Sequence, residues 1–558
     1  MKNYPIHSIE DSPTLSIVLR RKEVQEIFLL IIAHFIANFL FIRKYSFYSD
    51  DWSAIVVSPD AHTPYLTILL DAQRPLLYAT NKFVSSLALD ALTLQIAGFL
   101  LTTLLLILMY LIITKISSDF GFYQGTIPFL TCLLYIVLFN KDEIYPWLVV
   151  STCNIVGYLL YALSIYCFLH RKRRFFLPIS LIAYGLGLLT YEIGIALPLF
   201  FVAAEYLTRK KIKESFFFIL PLIGVLAIRS TLWFGFGSLR LDREAASLDP
   251  VLLLLHTCLF IFTTVLIFTN QIQFSIIGWT QISVPVLVLV LFLDLLLISA
   301  IIKYLSGCPF PTVRTRSFTA LLCIGLITFS VPYILTTGGT PTRGYVFIDL
   351  FIAGLLVLGL LYTGRSEWAK RGYLIIIIVC LLTCQGLYMN WVVAGEISDR
   401  VAESFCTHQD EILKKSYVYF NSTSFVQARP NSIRTAFHPT REDLFRLKNL
   451  FLGETFDGFI TKIGKEDSPR RIDDGYVQYY NAKCLDRWAL GGMMERCGVS
   501  NRSLIYGGNW YGFFPIEINK TSILYQEHQE NLPTGTITWV NRSDVFEISA
   551  DILTSRDQ

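Results

Sequence analysis

Residues 171–213 read RKRRFFLPISLIAYGLGLLTYEIGIALPLFFVAAEYLTRKKIK. Two basic clusters, Arg171-Lys172-Arg173-Arg174 and Arg209-Lys210-Lys211 with Lys213, bracket an apolar stretch from Phe175 to Leu207. A spanning helix needs about 20 apolar residues, so this stretch is too long for a single crossing. Lys and Arg collect on the cytoplasmic side of a membrane. Both clusters then lie on one side, and the stretch crosses an even number of times. It reads as two short helices, or a re-entrant hairpin, meeting near Tyr191-Glu192 with Glu192 at the outer tip.

The same criteria extend to either side. Further spans are expected at 24–42, 88–113, 126–139, 147–169, 216–236, 284–302, 317–336, 344–363 and 372–393. With Arg20, Arg21 and Lys22 inside, the loops carrying Lys115, Lys303, Arg314 and Arg316, and Arg365, Lys370 and Arg371 also face the cytoplasm. Parity makes 251–269 re-entrant or laid along the outer face. The expectation is an all-α polytopic bundle of about eleven transmembrane helices. Residues 1–23 form a cytoplasmic segment, 24–394 the membrane domain, and 395–558 an extracytoplasmic α+β domain. Arg43 and Lys44 run against the charge bias.

Composition agrees with this division. The 558 residues are 53% hydrophobic and only 16% charged, with net charge +4 and mean hydropathy +0.52. Soluble chains carry roughly 25% charged residues. These values exclude a disordered chain, a coiled coil and a nucleic-acid binder. Charge is concentrated after residue 394, where 41 of the last 164 residues are charged. Short β-like runs there (Tyr417–Phe420, Phe459–Ile463, Ser503–Tyr506, Thr536–Val540) alternate with a helical stretch over Arg441–Leu452. Eight of the eleven cysteines lie in or beside apolar stretches and read as buried thiols. Cys406, Cys484 and Cys497 lie in the last segment, where a Cys484–Cys497 disulfide is expected and Cys406 is left over. Asn421, Asn501, Asn519 and Asn541 head glycosylation-type sequons.

Chemistry-bearing residues gather in the outer loops. The first, about 43–87, contains Tyr48-Ser49-Asp50-Asp51-Trp52 and, later, Gln73-Arg74-Pro75-Leu76. Adjacent carboxylates repel. Such a pair suits a proton acceptor for a hydroxyl, or a ligand for a divalent cation such as Mg or Mn. The plainer alternative is a solvated acidic turn with Trp52 as an interfacial anchor. Glu192 lies in an otherwise apolar hairpin, and an ionised side chain at membrane depth is functional by default; snorkelling to the interface is the alternative. Arg343, in the turn Gly338-Gly339-Thr340-Pro341-Thr342-Arg343-Gly344, suits a phosphate at the membrane surface, as does Arg74. Lys141-Asp142-Glu143 and Arg240–Glu244 read as solvated loops. Span interiors carry little charge apart from Arg229 and Asp294. A transporter would be expected to hold ionisable groups near the midplane. The pattern therefore favours chemistry at the outer interface on a lipid-linked substrate.

The Y-S-D-D-W loop followed by R-P-L-L resembles the integral-membrane glucosyltransferases that modify O-antigen, the Gtr type, within the GT-C superfamily of polyprenyl-phosphate-sugar-dependent glycosyltransferases. Leu189-Thr190-Tyr191-Glu192-Ile193-Gly194 before Leu197-Pro198 is similar to the acidic segment of these bundles. The resemblance covers roughly 25–200 and extends through Arg343 toward 393. It departs from the family pattern at Gln73, where a glycine usually precedes the arginine, and in an acidic pair that is not D-x-D.

The resemblance implies an inverting transferase in a bacterial inner (plasma) membrane with its site facing the periplasm. It would move a hexose, glucose favoured, from a polyprenyl-phosphate donor to a glycan such as lipopolysaccharide O-antigen. Asp51 or Asp50 would be the base, with Glu192 orienting the acceptor or the base, or assisting a metal held at Asp50 and Asp51. Arg74, Arg343 and Lys44 would hold the donor phosphate. Trp510, Tyr511, Phe513 and Trp539 would stack on acceptor sugar, or else form the core of their own domain. A sugar-lipid synthase and a small flippase are the implied partners. A flippase or transporter of lipid-linked glycans is the rival reading, and a membrane-anchored glycan-binding or assembly protein a further one.

Overall fold

A computed structural model describes residues 13–48, 51–56, 64–71, 74–121, 126–236, 250–279, 283–306, 316–336, 344–362, 366–421, 487–500, 503–506, 515–518, 522–526 and 537–549. Asp50, Gln73, Arg343, Trp510, Tyr511, Phe513, Cys484, the loop 240–244, the strand expected at 459–463 and the helix expected at 441–452 lie outside the described residues.

The chain is a largely helical, multi-span membrane protein. Among the described residues, seven helical segments are long and apolar enough to cross a bilayer: Lys22–Lys44, Ala91–Asp119, Val149–Leu169, Val284–Ser306, Arg316–Leu335, Tyr345–Tyr362 and Glu367–Thr407. In order, the helices are α1 (Pro13–His34), α2 (Tyr65–Asp71), α3 (Pro75–Ser86), α4 (Ala91–Asp119), α5 (Thr126–Val137), α6 (Ile155–Leu169) and α7 (Phe176–Thr190). There follow α8 (Leu197–Arg209), α9 (Ile219–Phe236), α10 (Pro250–Trp279), α11 (Val284–Ser306), α12 (Arg316–Thr336), α13 (Tyr345–Tyr362) and α14 (Ser366–Thr407).

The hairpin forms as two helices too short to span alone, α7 and α8, joined by the tight turn Glu192–Gly194. Segment 251–269 lies inside the continuous helix α10, not in a re-entrant turn. This helix packs along α14, where Gly278 and Gly386 let the two backbones meet. Every residue of α5 is buried. A helix apolar all round belongs inside a bundle. By contrast α11 leaves Val288, Leu289, Phe292, Leu295 and Leu296 exposed, an apolar face fit for lipid.

The small C-terminal region contains strands. β1 (Tyr417–Asn421) lies between β2 (Ser503–Tyr506) and β6 (Val545–Ser549), both parallel to it. A second, antiparallel sheet has the order β3 (Pro515–Ile518), β4 (Ser522–Gln526), β5 (Ile537–Asn541). β1, β2 and β5 fall where the alternating pattern predicts them, and Trp539 lies on β5. After α15 (Gln409–Ile412) the next described helix is α16 (Arg487–Arg496). A Cys406–Cys497 disulfide ties α16 to the end of α14. This corrects the expected Cys484–Cys497 pairing. The end of α14 and the end of α16 face each other, so the tertiary approach decides the pairing, not the short spacing along the chain.

Candidate functional site

Asp51 opens a helical turn, Trp52–Val56, and is fully buried. Its Oδ1 accepts the Val149 N–H at 2.7 Å; its Oδ2 accepts those of Tyr48 at 3.0 Å and Leu148 at 3.2 Å. Leu148 and Val149 begin the helical stretch that runs through the π-helical turn Val149–Asn154 into α6. The first amides of a helix lack intrahelical partners, and an anion there satisfies them and the helix dipole. Asp51 therefore caps α6 from about a hundred residues away. Asp51 is therefore not solvated, and Trp52 is not an interfacial anchor. Trp52 is buried, and its Nε1 donates to the Phe47 carbonyl at 3.1 Å and to Ser398 Oγ at 3.0 Å.

The donor set around Asp51 suits a held anion more than a cation ligand. Among the described residues no group of three His, Cys, Asp or Glu is arranged to hold a metal.

α6 carries the second part of the site. Roughly 14 Å along its axis from Val149, at 1.5 Å per residue, Tyr158 meets the Tyr191 ring edge-on at 6.1 Å. The Tyr161 hydroxyl donates to the Tyr191 carbonyl. Tyr191 is extended (φ −156°, ψ 133°) and leads into the Glu192 turn. At Gly194 any Cβ would collide with the Tyr161 ring, so only glycine lets this turn seat against α6.

Across from the turn stands Arg74, directly before α3, with Pro75 at the first helical position. Proline there is pre-set for helix and loses no hydrogen bond, so R-P fixes where the arginine projects from. Its Nε donates to Glu192 Oε2 at 2.9 Å and Oε1 at 3.3 Å, and its guanidinium lies 4.7 Å over the Tyr191 ring. Two residues 118 positions apart, each proposed from sequence, are thus joined. The pair is 39% and 33% exposed, so it can be reached from outside the protein, as Asp51 cannot.

Lys44 pairs instead with Glu396 on α14, at 3.9 Å. Nearby, Ser46 donates to Asp399 and Gly492 of α16 lies against Trp52, where a Cβ would stand 2.8 Å from its carbonyl. Arg496 lies 5.5 Å from the Trp52 ring. α14 and α16 thus pack against Ser46 and Trp52, which flank Asp51, a role the sequence did not reveal. Glu396 and Asp399 follow directly on an apolar run, the one local signal that could have drawn attention to them.

The loop 141–143 is a correction as well. Lys141 and Glu143 are buried. Lys141 pairs with Asp349 at 3.6 Å, both side chains fully inaccessible; it donates to the Tyr135 and Leu138 carbonyls, while Asn140 donates to Asp349 at 3.1 Å. Buried acids also sit at Glu26, bonded by Tyr110 and Tyr304, and at Asp294, which accepts Gln385 Nε2 at 2.7 Å. The interior therefore carries more charge than expected, because Asp349 is hidden in an apolar run and the loop folds inward. No family model and no curated protein matches this chain.

Proposed function

We propose that the chain is an integral-membrane glycosyltransferase that moves a hexose, glucose first, from a polyprenyl-phosphate donor to an extracytoplasmic glycan such as O-antigen. The observation that carries this reading is the Arg74–Glu192 pair, an accessible guanidinium oriented by a carboxylate at the joint of a broken apolar hairpin. In the reaction the acceptor oxygen bonds to the anomeric carbon as the bond to the phosphate oxygen breaks, with inversion. Negative charge grows on the departing polyprenyl phosphate, and Arg74, helped by Arg343 and Lys44, stabilises it. Glu192 holds the guanidinium in place before the donor arrives. The acceptor proton passes to Asp50, while its neighbour Asp51, buried and held by three backbone amides, anchors the turn that carries it.

Trp510, Tyr511 and Trp539 stack on acceptor sugar in this reading. The finer architecture belongs to the proposal too: eleven crossings, an α+β C-terminal domain outside, and a bacterial plasma membrane. The Cys406–Cys497 disulfide supports the outside placement, since disulfides persist in oxidising compartments. The second reading, a flippase or transporter of lipid-linked glycans, is favoured by Asp294 and Asp349, buried acids in spanning helices.

The test is hexose transfer by purified protein from radiolabelled polyprenyl-phosphate hexose. Arg74→Ala and Glu192→Gln should each lower transfer by about 10²-fold or more. Stability should change by only about 0–1 kcal/mol, because the pair is partly exposed. Wild-type transfer rates in both variants would refute the assignment.

A further inference from the structure

The two basic clusters that bracket the hairpin are drawn together at the ends of α6 and α8. Arg171 is the pin: its side chain is 3% exposed, Nε donates to Glu214, and Nη1 donates to the Phe168 carbonyl at 2.9 Å. Arg209 reaches the same Glu214 oxygen at 3.5 Å. Glu205 accepts the Ser215 N–H at 2.8 Å and so fixes the second loop from beneath. Around this pin stand six exposed cations, Lys172, Arg173, Arg174, Lys210, Lys211 and Lys213. Glu214 is the one acid in the two loops, 170–175 and 210–215, and two arginines already share it. Nη2 of Arg171 is buried with no hydrogen-bond partner among the described residues.

Like charges held this close create a positive potential that draws anions. Beside them Phe175, Phe216 and Phe217 are 67%, 52% and 43% exposed. A soluble anion has no use for that apolar rim, whereas a lipid places its phosphate on the cations and its chains against the rings. We propose that this patch binds the phosphate head group of an anionic phospholipid in the leaflet that meets these loops. The site would serve a transferase and a transporter alike.

The full-length protein in neutral detergent would be titrated with labelled phosphatidylglycerol and phosphatidylcholine, with glycerol phosphate as a soluble competitor. Wild type should prefer phosphatidylglycerol by about tenfold or more. Lys172→Gln/Arg173→Gln/Arg174→Gln and Lys210→Gln/Lys211→Gln/Lys213→Gln should each weaken that binding by roughly tenfold. Lys210→Arg/Lys211→Arg/Lys213→Arg should retain it, because charge is kept on exposed side chains. Equal affinity for the two lipids, unchanged binding in both Gln variants, or loss in the Arg variant would overturn the proposal. So would glycerol phosphate competing as well as the lipid, which would assign the patch to a soluble phosphate.

Discussion

Replacing Asp349 by Ala removes the counter-ion of a lysine with no exposed side-chain surface. At 3.6 Å and an effective dielectric constant near 20, the lost attraction is about 4–5 kcal/mol. Removing one partner of a buried pair costs about 3–5 kcal/mol, because the survivor is left charged and unpaired. Lys141 keeps the carbonyls of Tyr135 and Leu138, while Asn140 loses its acceptor, so the lower half of that range is expected. Lys141→Met should cost a similar amount, leaving Asp349 with Asn140 as its hydrogen-bond partner among the described residues. The double variant Lys141→Met/Asp349→Leu removes both charges and fills the space, and should lie within about 1–2 kcal/mol of wild type. Equilibrium unfolding in mixed micelles measures all three. Single variants costing less than about 1 kcal/mol, or a double variant whose cost equals the sum of the singles, would refute a desolvated, mutually dependent pair.

Gly386→Ala should force α14 away from α10, since a Cβ would meet the Ser275 carbonyl oxygen and stand 2.8 Å from Trp279 Cδ1. A loss of about 1–3 kcal/mol in the same unfolding measurement is expected, and wild-type stability would show the helices are not in backbone contact. Peptide mapping without reductant should recover Cys406 joined to Cys497, unchanged by Cys484→Ser. By loop-closure entropy that link is worth roughly 4–5 kcal/mol, and a Cys484–Cys497 peptide would contradict the assignment. The backbone N–H of Thr93, 2.7 Å from Asp90 Oδ1, holds the Asp90 carboxyl below its ordinary value as the cap of α4. A depressed carboxyl stabilises above its unfolded pKa and loses that contribution as pH falls through the folded one. Amide protection at Thr93 should therefore drop under acid, below the usual carboxylate range, and should be pH-independent in Asp90→Ala.

The hairpin was legible because its signals are local: flanking charge, excess apolar length and a lone Glu192. Arg74 was legible for the same reason, as an R-P at the start of a helix. The fate of Lys141 was not, because a charged loop reads as solvated until the packing around it is known. Asp51 shows a further limit. An adjacent acidic pair announces chemistry, yet this carboxylate is taken up by amides 97 and 98 residues away, which no spacing in the sequence foretells. Nearness in sequence favours Cys484 over Cys406 as the partner of Cys497, whereas the disulfide closes a separation of 91 residues.

The most direct measurement follows both products of the proposed reaction in vesicles holding the purified protein, a polyprenyl-phosphate hexose and a glycan acceptor. One polyprenyl phosphate should be released for every hexose gained by the glycan, with inverted anomeric configuration. No transfer from any polyprenyl donor, while a lipid-linked glycan still crosses the bilayer, would contradict a transferase and establish the transporter.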